Sequence, residues 1–213
     1  MWFVVFDLDE TLICCEHRLS RLTEVQAENV DERIRMLSPS QQDDSNLRYW
    51  IALYRKEHGM LFLALAESIR KGDAIFFIIT AGEYLQSQTC MILELMFGFG
   101  DPEIEYLFSR ANVVNRRMLL DLYAEDKSKL TAENFANAKA RAMKSFMLLY
   151  NVLFKVSGES NLITTSDVVF VDDNVLNREC AKGFGFRSID PTKNNYCKNI
   201  YKLTSLIKLS CRK

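Results

Sequence analysis

The chain has 213 residues, 48% of them hydrophobic, with 27 basic against 28 acidic side chains and a formal charge of −1. That length carries one sizeable core with at most a modest appendage, and the hydrophobic content excludes a globally disordered chain. The near-zero charge provides no whole-molecule attraction for nucleic acid or acidic membrane, and apolar runs such as AIFFII fall far short of the roughly 20 residues of a membrane span.

The first expected element is a buried strand over Trp2–Phe6, WFVVF, which stops abruptly at Asp7-Leu8-Asp9-Glu10-Thr11. No basic n-region or cleavage site precedes it, so no cleavable signal peptide is expected. A cytoplasmic protein fits, and an effector secreted into a host cell would leave by another route. Residues 16–59 exceed what a sheet needs. They hold an amphipathic stretch over 19–37, an SPS breaker, a polar QQDDSN loop, and Leu47, Trp50, Ile51 and Tyr54 at helical spacing. Two helices packed as a small lid, or an αα-hairpin extending the core, are expected there.

Residues 60–72, MLFLALAESIRKG, read as a helix with a glycine stop, leading into a second strand over 74–80. A helical pattern follows over 83–97, then a weaker strand candidate over 104–108. A long helix is expected from the N-cap Thr131 to about Phe154. Val168–Val171 reads as another buried strand, and 186–189 as a last one. The layout is α/β: a central, mainly parallel five-stranded sheet flanked by helices, a Rossmann-like arrangement. The six cysteines are scattered without a CxxC pair, which fits reduced thiols. Residues 192–213 carry six basic and no acidic side chains, leaving 21 basic against 28 acidic, or −7, for the body. This basic end is a candidate contact for a further domain or an acidic membrane surface. It reads more simply as a solvated helix. The whole is expected to be one domain, with 16–59 inserted as the lid.

Ligands of open α/β sheets bind at the carboxyl ends of the strands. There the sequence places Asp7 and Asp9, Thr80 followed by Ala81 and Gly82, and Asp172 with Asp173. A buried ionised carboxylate costs several kcal/mol, so such a group of acids calls for a cation. Their chemistry fits phosphoryl transfer: one aspartate attacks phosphorus, Mg²⁺ and a lysine offset the converging negative charge, and a second acid handles protons. Lys139, Lys144 and Lys155 all precede the last acidic pair, and spacing favours Lys144. Cys14, Cys15 and His17 lack a fourth ligand for zinc and read as buried thiols with a neighbouring imidazole. Arg116 and Arg117 read as a solvated pair.

Asp-x-Asp-x-Thr after a hydrophobic strand, Thr80 in IITAG, a later lysine, VFVDDN and AKGFGFRSID, in that order, resemble the haloacid dehalogenase superfamily of phosphatases. DLDETL and TAG are similar to the group acting on the C-terminal domain of RNA polymerase II. Two departures stand out: Tyr84 follows TAG at shorter spacing, and Asp172-Asp173 replaces Asp-Asn. In overall style the chain also resembles bacterial effectors with phosphotyrosine phosphatase activity. The resemblance implies Asp7 as nucleophile, Asp9 as acid/base, Thr80 and Lys144 as catalytic phosphate ligands, and Thr11, Ala81 and Gly82 at the substrate. It further implies Mg²⁺ held by Asp7, Asp172, the Asp9 carbonyl and, directly or through water, Asp173. The implied substrate is a phosphorylated protein, with small phosphometabolites or nucleotides as the alternative. A phosphoryl-accepting receiver domain would order its acids differently and be shorter, and a silent interaction module would be expected to have lost one of the paired acids.

Overall fold

A computed structural model describes residues 1–37, 47–98, 100–158 and 162–210. The SPS and QQDDSN stretches, Arg212 and Lys213 lie outside them. The chain runs through β1 (Trp2–Phe6), β2 (Ile13–Cys15), a 3₁₀ turn (Glu16–Arg21), α1 (Glu24–Ala27), β3 (Val30–Leu37), β4 (Leu47–Leu53) and α2 (Arg55–Arg70). It continues with β5 (Ala74–Ile79), α3 (Gln86–Leu93), α4 (Pro102–Ser109), β6 (Asn112–Val114), α5 (Arg116–Met118) and α6 (Ala132–Val156). It ends with β7 (Val168–Val171), α7 (Val175–Gly183), β8 (Arg187–Ile189) and α8 (Tyr196–Ser210).

Five strands form a parallel sheet in the order β6-β5-β1-β7-β8. Counted among themselves they stand third, second, first, fourth and fifth, the doubly wound Rossmann-like order with its switch point beside β1. Both faces are covered, which is why β1 and β5 are apolar at every position instead of alternating. Val4, Phe6, Phe76 and Ile78 face a core shared with α2 and α8, while Phe3, Val5, Phe77 and Phe170 face α6.

Three expectations are corrected. Residues 104–108 are helical, not a strand: Asp101 caps the Glu103 N–H at 2.9 Å, Pro102 occupies the first turn, and Ile104, Leu107 and Phe108 turn one buried face. The fifth strand is Asn112–Val114 instead. The insertion is not a pair of helices: its strands complete a three-stranded antiparallel sheet, β2-β4-β3, with two short helical turns between β2 and β3. Leu47, Trp50, Ile51 and Tyr54 match a helical period over only eight residues. The run from Tyr49 to Leu53 is aromatic and β-branched enough to pair as a strand, Ile13 opposite Ala52 and Cys15 opposite Trp50. The helix expected from Met60 begins at Arg55, so the insertion is shorter than 16–59. It stops as expected at Gly72, whose φ of +74° glycine adopts without a steric cost. The basic end is α8 and the turn before it, with Lys193 in that turn and Lys198, Lys202 and Lys208 on the helix all exposed.

His58, on α2, is fully buried among Phe6, Tyr54, Phe62, Phe97 and Tyr196, with Nε2 2.6 Å from the Tyr196 hydroxyl. Burial pushes its imidazole down to about 3, against the opposing pull of the Leu53 carbonyl. As pH falls through the ordinary histidine range near 6.5, the unfolded chain takes up a proton that the folded one refuses. The His58 contribution is therefore full above that range and drains below it. In urea unfolding, the stability of the wild type relative to His58→Phe is expected to fall by about 1.4 kcal/mol per pH unit below about pH 6. A difference independent of pH would contradict this assignment.

Candidate active site

Asp7, Thr80 and Asp172 occupy equivalent places: each is the first residue beyond its strand, held by one further ladder bond. The Asp7 N–H donates to the Val171 carbonyl at 2.8 Å, Thr80 to Val114 at 2.9 Å, and Asp172 to Ile189 at 3.3 Å. Side chains alternate along strands, so Asp7 continues the face of Phe3 and Val5, and Asp172 that of Val168 and Phe170. Both therefore emerge toward α6.

The residue that meets them is Lys139, not Lys144. Lys139 is 1% exposed, and its Nζ lies 2.9 Å from both Asp7 Oδ1 and Asp172 Oδ2. Ala136, Ala138, Ala140 and Ala142 are all fully buried around it; their small side chains let α6 approach closely. Lys144 is five residues on, rotated by roughly 140° at 3.6 residues per turn, and is only half-buried. Burial works against the lysine's charge, but Asp172 and Asp7 outweigh it and hold the ammonium above its ordinary value.

Carboxylate oxygens of Asp7, Asp172 and Asp173 lie within 4.8 Å of one another. Two of these acids share one ammonium, and the third lies beside them. Asp172 is well supplied with donors: Oδ1 accepts from the Asn174 N–H at 2.8 Å and Asn177 Nδ2 at 3.0 Å, and Oδ2 accepts from Lys139. Asp7 Oδ1 is buried, with Lys139 Nζ 2.9 Å away as its cationic neighbour. Burial pushes the Asp7 carboxyl well above the ordinary carboxylate range; Lys139 pulls it back, while Asp172, Asp173 and Asp9 push it further up. Asp173 is pushed up to about 7, first by burial and then by Asp172 and Glu10. An all-oxygen set of three carboxylates, with a single ammonium set between two of them, fits a hard divalent cation such as Mg²⁺.

Asp9 points elsewhere. The chain hooks at Glu10, φ +61°, and turns into β2 through Glu10 N–H to Ile13 carbonyl at 2.7 Å. Asp9 Oδ1 accepts a 2.6 Å hydrogen bond from the Tyr84 hydroxyl, and Arg18 Nη1 lies 3.7 Å away. Oδ2 has a longer contact, 3.3 Å, from Thr80 Oγ1. Thr80 Oγ1 also accepts from the Gly82 N–H at 2.9 Å, which folds the TAG loop back on itself. A Cβ on Gly82 would stand 2.2 Å from the Tyr84 ring, so glycine is what admits the ring. Burial, then Asp9, push the Tyr84 phenol upward, keeping it a proton donor. Ala81 is exposed, and no helix starts at the loop: α3 begins at Gln86.

Thr11, expected at the substrate, is fully buried. Its hydroxyl bonds Asp173 Oδ1 at 3.2 Å and accepts from the Asp173 N–H at 3.1 Å, bracing the first acidic motif against the last. The sequence reading also missed Asn177 and Arg178. Arg178 Nη1 donates to the backbone carbonyls of Asp172 and Asp173 at 2.8 and 2.6 Å, and Nη2 pairs with Asp190. Their signal was available: three and four residues after the N-cap Asn174, side chains lean back over the helix start. Cys15 Sγ lies 3.0 Å from His17 Nδ1, and the described cysteines are free thiols. Arg116 holds the TAG loop through its backbone N–H to the Gly82 carbonyl, and Arg117 is exposed.

No protein-family model and no curated protein sequence matches the chain. Among solved structures, that of Fcp1, an essential RNA polymerase II CTD phosphatase, aligns with 99% of this chain and 50% of its own at 14% identity and a TM-score of 0.40. The chain therefore spans about half the length of that protein's. Among the described residues no helix is long and apolar enough to cross a membrane.

Without added divalent cation, Lys139→Met is expected to lower unfolding stability by about 3–5 kcal/mol, because it strands buried acids. Lys144→Met should cost less than about 1 kcal/mol. Equal losses in urea denaturation would contradict the placement of the ion pair.

Proposed function

We propose that the protein is a phosphatase of the haloacid dehalogenase type, hydrolysing phosphomonoesters through an aspartyl-phosphate on Asp7. The observation that carries this reading is the cluster of Asp7, Asp172 and Asp173 carboxylates at the carboxyl edge of a parallel sheet, with the buried Lys139 ammonium between the first two and Asp9 and Thr80 alongside. Asp7, Asp172 and Asp173 would hold Mg²⁺, which when bound offsets the charge of the phosphoryl oxygens and the acids together.

The chain's own residues account for the other steps. Asp7, in its ionised form paired with Lys139, attacks phosphorus; the P–O bond to the leaving group breaks, and Asp9 supplies the proton that the leaving oxygen needs. Asp9 then takes a proton from water as that water attacks the same phosphorus, releasing phosphate and the free Asp7 carboxylate. Lys139 counters the negative charge, and Thr80 with the N–H groups of the TAG loop holds phosphoryl oxygens. The favoured substrate is a phosphorylated side chain of a protein, phosphotyrosine first, since the insertion is a small three-stranded sheet instead of a large enclosing domain. Preference for sugar phosphates or nucleotides over every phosphopeptide would favour the metabolite alternative.

Hydrolysis of p-nitrophenyl phosphate is expected to require Mg²⁺ and to fall by at least about a thousandfold in Asp7→Asn, in line with losses on removing a nucleophile. Undiminished activity in that variant would overturn the mechanism.

A further inference from the structure

Tyr84 belongs to no element of the mechanism above, yet its environment is built with care. Its hydroxyl makes a short bond to the Asp9 side chain, 2.6 Å to Oδ1. The ring is 8% exposed and meets the Trp50 ring edge-on at 5.9 Å, so the inserted sheet seats it from one side. Gly82 leaves room for it on another side, where any Cβ would collide with it. Its backbone is fixed as well, the Tyr84 carbonyl accepting from Asn115 Nδ2 at 3.0 Å.

The two oxygens of Asp9 are therefore unequal. Oδ1 receives the Tyr84 hydroxyl and lies nearest the Arg18 guanidinium at 3.7 Å. Among the described residues Oδ2 has only the 3.3 Å contact from Thr80, a long one for two oxygens. Thr80 is also the residue expected to turn to a phosphoryl group. A carboxyl group that exchanges protons during a reaction needs one oxygen held and the other able to reach the reacting atom.

We infer that Tyr84 is a positioning residue for Asp9, pinning Oδ1 through its hydroxyl so that Oδ2 alone carries out the proton transfers, with Trp50 of the inserted sheet holding the ring in place. This rests on the phosphatase reading given above. It makes the insertion part of the catalytic apparatus, acting through one aromatic contact and one hydrogen bond.

The leaving group provides the test. An alkyl phosphate such as phosphoserine in a peptide needs a proton delivered to its leaving oxygen, whereas p-nitrophenolate leaves without one. In Tyr84→Phe, which keeps the ring and loses the hydroxyl, kcat/KM for the phosphoserine peptide is expected to fall about tenfold more than for p-nitrophenyl phosphate, a fraction of the 10²–10⁴ attributable to a general acid. The loss should lie in kcat and not in KM. With p-nitrophenyl phosphate the same variant should release a burst of nitrophenolate, because Asp9 must also activate the water that clears Asp7. Trp50→Leu should show the same leaving-group split to a smaller degree. Equal losses on both substrates with no burst, in either variant that melts like the wild type, would overturn the role of Tyr84 as a positioning residue. A wild type inactive on both substrates would instead overturn the phosphatase reading, and the role of Tyr84 with it.

Discussion

Three carboxylates and one ammonium share a buried volume at the end of the central sheet, and much of the surrounding structure follows from the resulting imbalance. Two like charges separated by roughly 4–5 Å repel by about 3–4 kcal/mol at an effective dielectric near 20. Lys139 lies between Asp7 and Asp172, and among the described residues Asp173 has no cationic partner of its own. The remaining charge is met in two ways. Neutral donors surround the carboxylates: Asn177 and the Asn174 N–H on Asp172, Thr11 on Asp173. Proton affinity also rises, in Asp7 strongly and in Asp173 to about 7. A site that retains protons on carboxyl groups near neutral pH is suited to exchange them for a divalent cation.

The parallel sheet makes this crowding affordable in conformational terms. Because β1 and β7 are adjacent and parallel, their ends lie side by side, and matched alternation turns Asp7 and Asp172 onto one face without distorted backbone. The helix covering that face contributes its lysine from a buried stripe lined with alanines. The Arg178 guanidinium, itself paired with Asp190, ties down the two carbonyls of the last motif and so fixes the loop on which Asp173 depends.

The strand ends were legible because strands buried on both faces leave an unmistakable apolar run, and acids directly after such runs stand out. Lys139 was not, since spacing along the chain carries no information about helix phase. The helix Pro102–Ser109 was mistaken for a strand by weighing its apolar residues above its Asp-Pro start. The insertion is illegible in the sequence because eight residues match helical and strand periods almost equally well, and the strands that decide between them, β2 and β3, pair with β4 from residues distant in the chain. The resemblance implies Thr11 at the substrate, whereas burial and its contacts with Asp173 give it a bracing task. Tyr84 stood out in the sequence only as a spacing anomaly. Its contact with Asp9 spans 75 residues and depends on the local fold of the TAG loop.

The central claim, that the acid cluster is a cation site in competition with protons, is most directly tested by calorimetric titration of Mg²⁺ into the protein at about pH 8 and about pH 6. The account predicts one site per chain, tighter at the higher pH, with proton release on binding and loss of binding in Asp172→Asn. Absence of binding, equal affinity at the two pH values, or full retention of binding in that variant would contradict it.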